Sequence, residues 1–105
     1  MPRRGESISK EQTSLLRSHL FVSGPVIVRD VTFKDAVRRK AESFGLRGWV
    51  RDSQDGRVEA VFEGEPEEVR LMIRWCHSDR SGAEVHSTSV HLETPSYELT
   101  DFDVR

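Results

Sequence analysis

The stretch FKDAVRRKAESFGLRGWVRD, residues 33–52, holds a helix with both ends marked, a tight exit and the start of a strand. Thr32 precedes it and Asp35 lies three residues on, a capping-box pattern for a helix start. Phe33, Ala36, Val37, Ala41 and Phe44 recur at helical spacing and give one apolar face. Arg38, Arg39 and Lys40 sit toward the far half, where cations are favoured by the helix dipole. Gly45 fits the left-handed position that ends helices, because it has no Cβ to clash there. Gly48, Trp49 and Val50 then read as a strand, with Asp52 at or near its end.

Upstream, residues 19–28 read as a first strand in which Leu20 and Val22 alternate, interrupted at Gly24-Pro25. Proline has no N–H for a ladder, so the strand must end, bulge or lie at an edge there. Residues 1–18 are polar and are expected to be a flexible N-terminal extension, with room for a short helix over residues 9–17 through Leu15 and Leu16.

Downstream, residues 50–52 and 57–62 read as two strands joined by Ser53-Gln54-Asp55-Gly56, since Asp-Gly is a strong hairpin signal. Val58, Ala60 and Phe62 alternate with Arg57, Glu59 and Val61, so one face points to the core. A second helix is expected after Gly64, with Pro66 in the first turn and Glu65, Glu67 and Glu68 at the positive end of its dipole. Val69, Met72, Ile73 and Cys76 fall on one face of it, flanked by Leu71 and Trp75, and read as core. Residues 83–92 form a fourth strand, where the phase change between Val85 and Thr88 predicts a bulge. Residues 98–105 close the chain as a last short strand through Leu99, Phe102 and Val104.

The order is β-α-β-β-α-β with a further terminal strand. This predicts an α+β ferredoxin-like sandwich, a mostly antiparallel sheet with two helices on one face. A chain of 105 residues fits one compact domain, here residues 19–105. Both charge signs are interspersed and the net charge is only -2, which argues against a dedicated nucleic-acid binder. Arg38, Arg39, Lys40 and Arg47 read as a solvated helix face. The single cysteine, Cys76, rules out an internal disulfide and suits a reducing, cytoplasmic compartment. No apolar run approaches membrane-spanning length. Cys76, His77, His86 and His91 invite a metal reading, but His86 and His91 are an odd number apart on one strand and face opposite ways, so no metal site is expected.

The segments V-R-R-K-A (residues 37–41), G-L-R-G-W-V-R (45–51), D-G-R-V-E (55–59) and F-D-V-R (102–105) together resemble the acylphosphatase family. That family's signature is G-x-V-Q-G-V-x-F-R, then a helix, then G-W-V-x-N. The resemblance implies hydrolysis of a carboxyl phosphate to carboxylate and phosphate, without metal or cofactor. It implies a small acyl phosphate or other small anion as partner, no nucleic acid, no membrane, and a monomer. A loop of backbone amides ahead of the first helix would wrap the phosphoryl group, here Val28, Arg29, Asp30, Val31, Thr32 and Phe33. An arginine would hold the phosphate and an asparagine would orient the attacking water, fixed donors aimed at developing charge. By the resemblance these two catalytic positions fall on Lys34 and Asp52.

Both are substituted. Lysine keeps the charge but loses the guanidinium fork that grips one phosphate twice. A carboxylate at Asp52 has no N–H to offer and repels phosphate. At about 5 Å and an effective dielectric near 20, two like unit charges cost roughly 3 kcal/mol. That is on the order of a hundredfold in binding or rate. Pairing of Asp52 with Lys34 would neutralise both and occupy the anion pocket. The loop departs too, with eleven residues from Gly24 to Lys34 against nine in the signature. Asp30 then stands at a signature glycine, and Arg29, at the signature glutamine, either supplies a guanidinium from the loop or points to water as loop arginines usually do. The leading expectation is an acylphosphatase-like domain with impaired or lost hydrolysis. The rivals are a rewired hydrolase in which Asp52 positions or activates water, and a non-catalytic ligand-binding or protein-interaction module on the same scaffold. An RNA-recognition reading of the βαββαβ order needs aromatic platforms on the central strands, and the third-strand segment offers only Phe62.

Overall fold

The computed structural model describes residues 15–24, 31–77 and 87–105. The elements run β1 (Leu16–Ser23), α1 (Val31–Ser43), β2 (Arg47–Asp52), β3 (Val58–Gly64), α2 (Pro66–His77), β4 (Ser87–Glu93) and β5 (Phe102–Val104). The strands form one sheet in the order β4-β1-β3-β2-β5. Every neighbouring pair is antiparallel except β2 and β5, which run parallel.

Both helices cover one face of this sheet. Leu20 and Val22 of β1, Val50 of β2, and Val58, Ala60 and Phe62 of β3 point toward them. Phe33, Val37 and Ala41 of α1 and Val69, Met72 and Cys76 of α2 complete the core from above. The spacing of these helical residues, three or four apart, lines up a single stripe on each helix. This is the expected ferredoxin-like sandwich.

The local devices explain where the elements stop. Gly45 has φ +71°, its N–H bonds the Glu42 carbonyl, and the Leu46 N–H reaches back to the Ala41 carbonyl. That paired reach is a Schellman ending, and Leu46 is thereby delivered into the core. Gly56, with φ +91°, closes the hairpin between β2 and β3. Pro66 opens α2, and the Glu65 carbonyl accepts the Val69 N–H. Cys76 is buried on α2, and burial pushes its thiol up to about 12. The native protein should therefore react with a thiol reagent only at its rate of unfolding; rapid labelling without denaturant would contradict this.

Several expectations are corrected. The helix begins at Val31, so Thr32 stands inside its first turn and not ahead of it. Asp35 does not complete a capping box: its carboxylate accepts from Arg38 at 2.7 Å and Arg39 at 2.9 Å, cations one turn further along the same helix. Strand β1 opens at Leu16, which places Leu16 and Arg17 in the sheet and not in a short helix. Arg17 is drawn there by Glu63 and Glu93, which flank it on the neighbouring strands. The register of β4 against β1 is unbroken from Ser87 to Glu93, and Val85, across the expected bulge, lies outside the described residues. Strand β5 is only Phe102–Val104, narrower than expected, because Leu99 lies ahead of the segment paired with β2.

The helix-free face is not simply the wet side of the sheet. Val61 is fully buried there, and Glu59 and Glu63 are buried with it. Long side chains of adjoining strands roof them over. Arg51 and Arg105 stack on Trp49 at 4.7 and 5.1 Å, and Arg57 stacks on Phe21 at 4.3 Å. His19 reaches Glu59 through Nε2 (2.6 Å) and Glu93 through Nδ1 (2.8 Å).

Candidate active site

Two element ends meet at one end of the sheet. Alternation along β2 sends Gly48, Val50 and Asp52 toward the helices, so Asp52, the last of the strand, emerges just beyond the core beside the first turn of α1. The register sets Asp52 against Val58, and Val58 against Val22 near the end of β1. Asp52 therefore stands at the end of the sheet where β1 gives way to the segment 24–30.

Lys34 comes from α1, next to Phe33, whose side chain is anchored in the core. Its own stem is covered, leaving the residue 7 % exposed. Its Nζ donates to Asp52 Oδ1 at 3.1 Å. The pair is asymmetric: a buried ammonium faces a carboxylate with 43 % of its side chain exposed. Water can therefore reach the acid while the base stays held, an arrangement that neutralises the ammonium without sealing the site.

Lys34 and Asp52, named from sequence, are thus brought together. Of the expected anion loop, Val31 and Thr32 lie in the first turn of α1, and the Phe33 side chain belongs to the core. Val28, Arg29 and Asp30 lie outside the described residues.

Sequence reasoning did not single out the residues beside Asp52. A cleft of about 340 Å³ is lined by Arg51, Asp52, Ser53, Gln54 and Glu59. Arg51 is held there by Glu59 through Nε at 3.0 Å, and Ser53 by Asp55 at 2.8 Å. Burial pushes the Glu59 carboxyl up, but its bonds to His19 and Arg51 outweigh this and hold it below the usual range. Arg57 above all, with Ser53, holds Asp55 far below the usual carboxylate range. The hairpin forming one wall of the cleft is therefore pinned by its own charges. No local pattern marks these residues, because the cleft arises from cross-strand register.

Among the described residues no group of three or more histidine, cysteine, aspartate or glutamate side chains is arranged to hold a metal. His77 lies 2.9 Å from the Thr88 hydroxyl, His91 lies 3.2 Å from that of Ser89, and His86 is outside the described residues. Among the described residues no helix is long and apolar enough to cross a membrane.

Comparison with known proteins places this geometry. The family model for acylphosphatase matches residues 18–104. An acylphosphatase of Roseiflexus sp. (strain RS-1) is 43% identical over 90 residues, covering 86% of this chain and 95% of the relative. One from Rubrobacter xylanophilus is 44% identical over 97 residues, covering 92% and 84%. Among solved structures, an acylphosphatase from Coxiella burnetii superposes with TM-score 0.78 at 29% identity, over 92% of this chain and 99% of that one. The acylphosphatase from Bacillus subtilis gives 0.75 at 26%, over 86% and 98%. With the family model and the relatives matching over most of its length, and its fold superposing on two solved acylphosphatases, the chain belongs to the acylphosphatase family.

Proposed function

We propose that the site lies where α1 and β2 meet, that its substrate class is a small acyl phosphate, and that its hydrolysis to carboxylate and phosphate is impaired or lost. The reading rests on Lys34 and Asp52 standing at the positions of the family's arginine and asparagine. The observation that carries it is the 3.1 Å contact between Lys34 Nζ and Asp52 Oδ1. A phosphate arriving at Lys34 must compete with a carboxylate already bonded to it. It must also approach a negative charge where the family presents a neutral amide. The lysine, once freed, offers a point charge and not two parallel donors. A cytoplasmic setting fits the lone cysteine, Cys76.

The test is acyl-phosphate turnover by the natural chain beside the Lys34→Arg, Asp52→Asn double variant, with acetyl or benzoyl phosphate. Removing the like charge and restoring the fork should raise kcat/KM by about a hundredfold or more. Family-like rates in the natural chain, with no gain in the variant, would defeat the reading. Silence from both would place the defect in the loop and remove the two substitutions as its cause. The same contact favours one other reading, a scaffold that binds a ligand or partner without turnover. Inorganic phosphate that leaves the melting temperature of the double variant unmoved would favour it.

A further inference from the structure

We propose that Lys34 is a self-acylation site: an acyl phosphate reaching this site transfers its acyl group to the Lys34 amine, with Asp52 as proton acceptor. The inference rests on the acyl-phosphate reading given above and concerns a second outcome for the same substrate. The family's arginine holds an activated acyl group without reacting, because a guanidinium stays protonated and has no lone pair to attack with. A lysine amine becomes a nucleophile once it loses a proton. Exchanging arginine for lysine therefore puts a reactive nitrogen where the family keeps an inert one.

The surroundings of Lys34 suit that reaction. The residue is buried, so packing fixes its stem and its amine is not spread through solvent. Its Nζ lies 3.1 Å from Asp52 Oδ1, a nucleophile within hydrogen-bond reach of a base. Asp52 is exposed and lines the neighbouring cleft, so the pair opens on one side to an incoming small molecule. In an acyl phosphate a single bridging oxygen separates the carbonyl carbon from phosphorus. An amine that contacts the phosphoryl group is therefore beside that carbon.

Nζ gives up one proton to water and attacks the carbonyl carbon with the lone pair this frees. A C–N bond forms, the bond from that carbon to the bridging oxygen breaks, and its electron pair leaves with phosphate. In the tetrahedral adduct the nitrogen carries a second, acidic proton, which Asp52 accepts and returns to solvent. The products are an amide on Lys34 and free phosphate, with no other reactant consumed. The acylated nitrogen is uncharged, so its ion pair with Asp52 is lost and the carboxylate alone remains to face any further phosphate. Each molecule is spent in one event, a single-use acceptor of activated acyl groups.

Acetyl phosphate added to the full natural chain, followed by peptide mass spectrometry, tests this. The other lysines are Lys10 and Lys40, and Lys40 is partly exposed with its Nζ over the Phe44 ring. Acetyl phosphate should label Lys34 at least about tenfold faster than Lys40, because the site holds the reagent by its phosphoryl group. Acetic anhydride has no phosphoryl group and should reverse that order. Asp52→Asn should lower the maximal rate of Lys34 labelling by about tenfold or more, whatever it does to the half-saturating concentration. Lys34 labelled no faster than Lys40 by acetyl phosphate, the same order with both reagents, or an unchanged maximal rate in Asp52→Asn would each overturn the proposal. Phosphate counted in the same samples separates it from the hydrolysis reading. Release in excess of bound acetyl at family-like rates would defeat the loss of turnover, whereas an unlabelled Lys34 without that excess would defeat self-acylation alone.

Discussion

Gly48→Ala should destabilise the fold severely. The backbone at Gly48 has φ +147°, which side chains rarely tolerate, and a Cβ there would lie 1.8 Å from the Val61 carbonyl oxygen and 2.8 Å from its carbon. The next contact is the Phe102 ring at 3.2 Å. A flexible side chain can swing aside, but a backbone carbonyl in the middle of a ladder cannot. Gly48 pairs with Phe62 on one side and Phe102 on the other, so retreat in either direction opens β2–β3 or β2–β5. Steric insertion and an unfavourable φ each cost about 1–3 kcal/mol where some relaxation is possible. With neither neighbour free to move, a loss of at least about 4 kcal/mol is expected, a large share of the stability of a domain this size. Thermal melting by circular dichroism checks it: the variant should be insoluble or melt roughly 16 °C or more below the natural chain. A melting temperature close to the natural one would mean that the approach of Val61 is relaxed in solution and that the glycine is not required.

How much of this was legible beforehand depends on the range over which each feature is determined. Gly45, Asp55-Gly56 and Pro66 act within a few residues of themselves, and the ends they mark appear where the sequence reading puts them. The pairing of Lys34 with Asp52 was also accessible, because the family resemblance set two distant positions side by side. The capping box failed for a local reason: the helix already starts at Val31, ahead of Thr32, and the Asp35 carboxylate is engaged by two cations one turn further along. The burial of the helix-free face was invisible for the opposite reason. Alternation along β3 divides Val58, Ala60 and Phe62 from Glu59, Val61 and Glu63, and so assigns the second set to solvent. Only cross-strand register shows that Arg17, His19, Trp49 and Arg51 meet over that set. Residues that polarity alone would place in water are thus among the most buried in the molecule.

Glu63→Ala should be the most damaging change on that face. The carboxylate is 1% exposed, yet all its bonds are accounted for by donors from elsewhere in the chain. Oε2 accepts the Tyr97 N–H at 2.8 Å, and Oε1 accepts the Ser96 N–H and Arg17 at 3.1 Å each. It therefore latches the connector between β4 and β5, strands at opposite borders of the sheet, onto the central strand. The connector needs holding, because Tyr97 has φ 61°, an unfavourable conformation for a side chain of its size. Truncation leaves two backbone donors without their acceptor and releases that turn. The expected loss is about 3 kcal/mol or more, equivalent to roughly 12 °C or more in melting temperature. Glu63→Gln retains one acceptor oxygen but turns an amide N–H toward a donor, so it should fall between the two. Faster amide exchange at Ser96 and Tyr97 would separate this latch from a general loosening; a shift of under about 2 °C in the alanine variant would remove it. Acid provides an independent reading of the same groups. Burial pushes the Glu63 carboxyl up, but the Ser96 and Tyr97 amides and Arg17 overcome it and hold it below the ordinary value. His19 and then Arg17 do the same for Glu93, as His19 and Arg51 do for Glu59. Depressed folded values mean the stabilisation is fully present above the unfolded glutamate range, about 4.3, and is lost as pH falls through the folded values. The natural chain should therefore lose melting temperature steadily below about pH 4.5. Glu63→Gln, with one such carboxyl fewer, should show a shallower fall; parallel acid profiles would mean that Glu63 carries no charge-dependent stabilisation.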